Sequence, residues 1–258
     1  MKRELARFAK RFTREPAKTP HWRGVFATAR DVPVHGPGFA GDVWRDLTRS
    51  FTQRAIADAR TPAALAAWRS ETQILATVAA LSRSSESVRV LDFGGGMGIG
   101  YVLLRGALGR AVAYHIVEDE QVCAEGTRLL ADDPDVQFRP ALPEAAERFD
   151  VVYACSSLQY IDDLDKLFAA LVRTTPSYIV LADVPAGDIP TFWTAQLTVP
   201  GSAIAYKFMN LEELVETVRR VGYELLVRGV AERPIDTTSL PASHRLERTC
   251  NLVFGRRP

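Results

Sequence analysis

The chain has 258 residues, 47% of them apolar, which is enough for one α/β domain with an extension and a sizeable core. Its 32 basic and 31 acidic residues leave a net charge of +1, a balance that argues against a general nucleic-acid binder. Cys123, Cys155 and Cys250 are far apart, odd in number and without metal-ligand spacing, so no disulfide framework is expected and a reducing, cytoplasmic setting fits best.

No apolar run reaches the length of about 18 residues needed to span a membrane, and the charged first residues lack a secretory signal's apolar region. Residues 1–20 are basic, with Leu5, Phe8, Ala9 and Phe12 on one helical stripe. Such a stripe fits an interfacial helix at an anionic surface, or a helix docked on its own domain or on a second subunit of a homodimer. The short stripe favours docking. Residues 21–41 hold glycines, prolines and aromatics and read as loop. Helices are predicted at about 42–57 and 62–82, the second starting at Pro62, which suits a first helical turn. Residues 1–84 thus read as a helical extension that covers a sheet edge and closes over a site.

From 85 to 258 the pattern alternates. Strands are predicted at 88–92, 111–117, 136–139, 150–155 and 178–182, with helices at 99–109, 119–131 and 162–173 between them. Segment 184–210 reads as a long, aromatic-rich insertion of the kind that forms lids. A helix at 211–221 then precedes strands at 223–228 and 249–255, which have no helical pattern between them. This order predicts a Rossmann-like, doubly wound, mostly parallel sheet that closes on an antiparallel pair.

The stretch VRVLDFGGGMGIG, residues 88–100, organises the rest. A buried strand ends at Asp92, and Gly94, Gly96 and Gly98 follow at every second position, a turn that lets a ligand approach the backbone. The dinucleotide fingerprint fails in every frame, at Ile99, Met97 or Tyr101, and the Lys and Ser or Thr of a P-loop are missing. Glu118 ends the second strand, where an acid accepts hydrogen bonds from ribose hydroxyls. A helix-terminal acid is the bland alternative, and Asp119 and Glu120 compete for the role.

The pattern Asp-x-Gly-x-Gly-x-Gly resembles the first motif of class I S-adenosylmethionine-dependent methyltransferases, and residues 150–161, DVVYACSSLQYI, resemble their fourth-strand motif. The closing antiparallel pair is similar to the family's seven-stranded sheet. With HWRGVF, the 38–39 region, SSLQYI and TAQLTVP, residues 21–255 resemble a narrower bacterial group encoded among surface-polysaccharide and small-molecule pathway genes. The resemblance implies S-adenosylmethionine as cofactor and a small-molecule methyl acceptor. It implies that the turn at Phe93, Gly94, Gly96 and Gly98 passes under the methionine part and ribose. Leu142 would lie near the adenine, and Ser156 at the ligand end of the fourth strand. Asp92 would order the turn through backbone N–H groups, or reach the cofactor's amino group through water.

Methyl transfer from a sulfonium is an in-line displacement in which the protein chiefly aligns the acceptor and excludes water. A hydroxyl acceptor also needs a base. His35, in the VHGPGF loop, is the first candidate, with His21 second, while His115 reads as a core or edge residue. Gln159, Tyr160, Asp183, Gln196 and Tyr206 are expected around the acceptor, with Tyr160 near the chemistry. No partner Asp–Asn pair follows Asp183, so no metal is expected. A non-methylating enzyme and a non-catalytic cofactor-binding protein on the same scaffold are the alternatives.

Overall fold

The computed structural model describes residues 20–59, 70–82, 87–108, 112–144 and 146–257. The expected N-terminal stripe and the first turns of the helix expected from Pro62 lie outside them. The predicted alternation is realised as β2 Val88–Phe93, α3 Ile99–Leu108, β3 Val112–Val117, α4 Glu120–Leu129, β4 Val136–Arg139, β5 Val151–Cys155, α5 Leu164–Leu171 and β6 Tyr178–Val184. α6 Leu211–Arg220, β10 Tyr223–Pro234 and β11 Arg248–Arg256 complete that layer. The sheet has seven strands in the order β10-β11-β6-β5-β2-β3-β4, and β11 alone runs against its neighbours. This is the expected mostly parallel sheet with an antiparallel last strand.

Side-chain alternation splits the core into two layers. Leu91, Val152, Leu181 and Phe254 pack with Phe168, Leu171 and Leu214 on one face. Val90, Val151, Val180 and Val253 pack with Leu75, Tyr101 and Leu104 on the other. Each fully buried side chain of this kind contributes roughly 2 kcal/mol. Helix starts are fixed by short acceptors: Asp119, Asp163 and Asn210 accept from the backbone N–H of Gln121, Lys166 and Glu213. Each such cap is worth about 1 kcal/mol.

Two expectations are corrected. Residues 21–41 are not all loop, because Trp22–Phe26 forms β1. The segment 184–210 is not an irregular lid: it holds β7 Ala186–Gly187, β8 Phe192–Gln196 and β9 Ile204–Asn210. Together they make a second sheet in the order β1-β8-β9-β7. Both faces of its central strands are covered. Trp22, Phe192, Tyr206 and Phe208 pack on Ile189 and Leu240 on one side. Trp193, Ala195 and Ala203 pack on Val32 on the other. β8 and β9 therefore lack the polar face that makes alternation readable. Helix α1 Asp42–Asp58 packs on α3, whereas α2 Ser70–Leu81 packs on α3 and directly on β5 and β6, so α2 covers a face of the large sheet and not the expected edge. No helix among the described residues is long and apolar enough to cross a membrane.

Candidate active site

The glycine turn leaves β2 at the carboxyl edge of the large sheet, where ligands bind in open α/β folds. Gly94, Gly96 and Gly98 all hold positive φ. A Cβ at Gly94 would lie 2.5 Å from Ser157 Cβ, so the turn is pressed onto the end of β5. Ser157 Oγ fastens it by donating to the Phe93 carbonyl at 2.8 Å. Above Gly96 the only neighbour among the described residues within 4 Å of an added Cβ is Thr48 Cγ2, at 3.4 Å. Thr48 belongs to α1, whose Arg45 and Arg49 reach across to Gln121 and Glu125 of α4. The helix thus roofs the turn and is tied down on its far side.

The three neighbouring acids are placed differently. Asp119 caps α4, and Glu120 is exposed in its first turn. Glu118 turns inward, accepting from Gly96 N–H at 3.1 Å and Asp119 N–H at 3.0 Å. Burial raises its carboxyl above the usual range, and those two N–H bonds oppose the rise.

Asp92 does not order the turn through backbone N–H groups. Its Oδ2 accepts from the Tyr114 hydroxyl at 2.7 Å, and Oδ1 is buried with no hydrogen-bond partner. Gly95 lets the turn close over this carboxyl: a Cβ there would lie 2.3 Å from Oδ2. Burial pushes Asp92 up to about 7; the Tyr114 hydrogen bond opposes this and the charge of Glu118 adds to it. Tyr114 carries no motif in the sequence. It sits mid-strand among apolar residues and meets Asp92 diagonally, because β2 and β3 pair Val90 with Tyr114 and Asp92 with Ile116.

The acceptor-side candidates also converge. Ser156 and Asp183 end adjacent strands, and both are left-handed, with φ of 51°. Such a conformation costs a non-glycine residue about 1–2 kcal/mol. Here it aims Ser156 Oγ at Asp183 Oδ2, while Thr249 donates to Oδ1 at 2.5 Å and Asn251 Oδ1 accepts from the Asp183 N–H at 2.9 Å. Tyr160, one turn beyond β5, donates to Gln196 Oε1 of β8 at 3.0 Å. Its ring packs edge-on to Phe39 at 4.7 Å and Tyr206 at 5.5 Å. Burial pushes its hydroxyl up to about 12, against the opposing bonds from Gln159 and Gln196, so at neutral pH Tyr160 is a donor and not a base. Gln159 is buried with Oε1 unpartnered.

Leu142 packs against the large sheet's core, and Phe93 lies half-buried beside the turn. His21 and His35 are exposed. The His35 backbone exchanges hydrogen bonds with Ala203 at 3.1 and 2.9 Å, just before β9, and Phe39 follows four residues later. His115 is a core-edge residue, packed on Phe149 and beside Arg139. No cluster of three His, Cys, Asp or Glu side chains able to hold a metal occurs among the described residues. Sequence reasoning missed Tyr114, Thr48 and Thr249, all ordinary residues inside regular elements.

Residues 49–227 match the family model described as a methyltransferase domain, which is more than half of the chain. The chain belongs to this methyltransferase family. A methyltransferase of this class uses S-adenosylmethionine, and the turn's residues fit that ligand: left-handed glycines at Gly94, Gly96 and Gly98, an acid at Glu118, and an unmatched carboxyl oxygen at Asp92. No curated protein matches the methyltransferase chain. Among solved structures it is similar to the Burkholderia thailandensis 1,6-didemethyltoxoflavin-N1-methyltransferase, solved with 1,6-didemethyltoxoflavin and S-adenosylhomocysteine bound. The identity is 17%, over 88% of this chain and 93% of that one, with a TM-score of 0.51. It is also similar to an S-adenosylmethionine-dependent methyltransferase from Mesorhizobium loti, 19% identical over 70% and 96% of the two chains, with a TM-score of 0.48.

Proposed function

We propose that this methyltransferase transfers a methyl group to an oxygen or nitrogen atom of a small molecule, a biosynthetic intermediate or sugar-type metabolite. The carrying observation is that the glycine turn and Glu118 share one sheet edge with the group formed by Tyr160, Gln196, Ser156 and Asp183. When bound, the cofactor supplies a methyl group already activated on a sulfonium. The chain's own residues then hold, orient and shield.

Glu118 accepts from the ribose hydroxyls, and Gly94, Gly96 and Gly98 let the backbone come close to the ligand. Phe93 and Leu142 flank it, with Ser156 at its edge. Tyr160, Gln159, Gln196, Asp183 and Tyr206 form the acceptor wall, and the small sheet with Phe39 keeps water from it. Tyr160 orients the acceptor by donating a hydrogen bond. His35, at the start of the segment that carries Phe39, takes the proton of a hydroxyl acceptor and passes it to solvent; His21 lies on the same exposed border. The compact wall supports a small molecule rather than a nucleic acid, and the free cysteines support a cytoplasmic setting.

Calorimetric titration with S-adenosylmethionine and S-adenosylhomocysteine tests the cofactor half. Micromolar binding is expected, abolished by Gly96→Arg and weakened by Glu118→Ala. Absence of both heat and thermal stabilisation with either ligand overturns it. Transfer of a labelled methyl group to phenolic, amine and sugar acceptors tests the other half. His35→Ala should lower turnover and leave cofactor affinity intact; unchanged turnover on a hydroxyl acceptor removes His35 from the chemistry.

A further inference from the structure

On one face of the small sheet Trp193, Ala195, Ala203 and Val32 form an apolar cluster, and Lys207 of β9 is buried beside it, only 5% exposed. Taking an ammonium group out of water is costly, and an unbranched apolar side chain would pack there without that cost. The charge therefore points to a task. Lys207 Nζ sits over the Trp193 ring, 5.0 Å from its centroid, and donates to the Asp162 carbonyl at 3.1 Å. Trp193 is its directly opposite partner on β8, and Asp162 and Asp163 supply negative charge at the start of α5.

Asp162 lies just beyond the turn that carries Gln159 and Tyr160. Tyr206, the residue before Lys207, packs its ring on Tyr160 at 5.5 Å. Successive residues of a strand project from opposite faces. β9 thus grips the turn from both: Tyr206 on the side of Trp22, Phe192 and Phe208, Lys207 on the side of Trp193. The edge of β9 is open to this grip because β7 pairs with it farther along, at Met209 and Asn210. The turn grows out of β5 in the large sheet, whereas Gln196, which accepts from the Tyr160 hydroxyl, belongs to the small one. That hydrogen bond spans two sheets, so it depends on how β9 seats the turn.

We infer that Lys207 is a positioning residue for the acceptor wall: by donating to the Asp162 carbonyl it seats the turn so that Tyr160 meets Gln196 across the two sheets. This rests on the reading that Tyr160 and Gln196 face the methyl acceptor. Neither Trp193 nor Asp162 shares in the hydrogen bonds of Glu118 and the glycine turn, so Lys207 acts on the acceptor side and not on the cofactor.

Two variants test this. Lys207→Met keeps an unbranched stem against Trp193 and removes the donor; Lys207→Arg keeps a charged donor able to stack on the ring. Each is made in protein labelled with fluorotyrosine, with Tyr160→Phe assigning the Tyr160 resonance. In fluorine NMR spectra Lys207→Met should displace that resonance and leave Tyr223, on the edge strand β10, in place; Lys207→Arg should restore it. Affinity for S-adenosylhomocysteine, by calorimetry, should stay within about twofold throughout. Labelled-methyl transfer to phenolic, amine and sugar acceptors should fall about five- to tenfold in Lys207→Met, without a matching loss of melting temperature, and recover in Lys207→Arg. Added to Tyr160→Phe, Lys207→Met should cost less than about twofold more, because the contact it positions is already gone.

An unmoved Tyr160 resonance in Lys207→Met overturns the proposal. So do additive losses of turnover in the double variant, which assign Lys207 to packing alone, and a loss of S-adenosylhomocysteine affinity as large as the loss of turnover. If Tyr160→Phe lowers turnover and Lys207→Met does not, the proposal fails alone. If Tyr160→Phe leaves turnover unchanged, the acceptor-wall reading fails and takes the proposal with it.

Discussion

Gly95→Ala isolates the fit between the glycine turn and the carboxyl beneath it. Gly95 is not in the left-handed region, so alanine brings no backbone strain there, and the whole effect is steric. Its Cβ would lie 2.3 Å from Asp92 Oδ2 and 2.5 Å from Cγ, well inside contact distance. Overpacking a rigid buried site costs about 1–3 kcal/mol. Displacing the carboxyl also breaks the 2.7 Å bond to Tyr114 and leaves two buried polar groups unmatched, another 1–3 kcal/mol or so. The smaller unfolded-state entropy of alanine returns about 0.4–1 kcal/mol. The expected net loss is about 2–4 kcal/mol, or roughly 6–12 °C in melting temperature for a chain of this size. Urea unfolding followed by tryptophan fluorescence measures it. The decisive comparison is a double-mutant cycle with Asp92→Ala, in which Gly95→Ala should cost less than about 1 kcal/mol, because the obstructing carboxyl is gone. Additivity of the two changes to within about 0.5 kcal/mol refutes the reasoning.

Burial, with Arg139 and Arg89 adding to it, lowers His115 to about 4. The unfolded chain, near 6.5, therefore binds this proton first, so its contribution to stability is complete above pH 6.5 and is lost as pH falls towards 4. After allowance for partial solvent access it amounts to on the order of 2 kcal/mol, and His115→Gln should flatten the stability profile over that window; an unchanged slope counts against it. Arg49→Ala removes a tie from α1 to Glu125 and should weaken S-adenosylhomocysteine about threefold while making its affinity less sensitive to salt, both readable by calorimetry. Tyr160→Phe deletes the donor to Gln196 and should lower turnover about tenfold or more at nearly constant cofactor affinity, as measured by labelled-methyl transfer; equal losses in both would move Tyr160 out of the acceptor wall.

The large sheet was legible because its signals are local. A run such as 88–92 announces a buried strand, and alternate glycines followed by an acid 20 residues on mark the carboxyl edge of the sheet. The helical extension was half legible: α1 ends within a residue of its predicted limit, yet Thr48 gives no hint that it lies over Gly96. The small sheet was illegible for a physical reason. β8 and β9 are buried on both faces, so Phe192 and Trp193 are consecutive large side chains with no polar alternation. The third strand of that sheet, β1, comes from the far end of the chain and is interrupted by Gly24 at a positive φ. β10 runs six residues past its predicted end, to Pro234, because pairing with β11 overrides the glycine at 229. Asp92 and Glu118 stand out in the sequence as acids at strand ends, but their hydrogen-bond partners depend on strand register, which the sequence does not display.

The small sheet is sewn from distant parts of the chain. Thr194 donates to the Arg23 carbonyl across 171 residues, and the Trp22 indole donates to the Asp236 carbonyl across 214. At synthesis rates of about 5–20 residues per second, Trp22 leaves the ribosome roughly 10–40 s before its partner exists. In that interval β2 to β6 can assemble, while β1 waits as an unpaired edge carrying Trp22, Val25 and Phe26. The nascent chain therefore completes the glycine-turn edge of the large sheet before the small sheet can close.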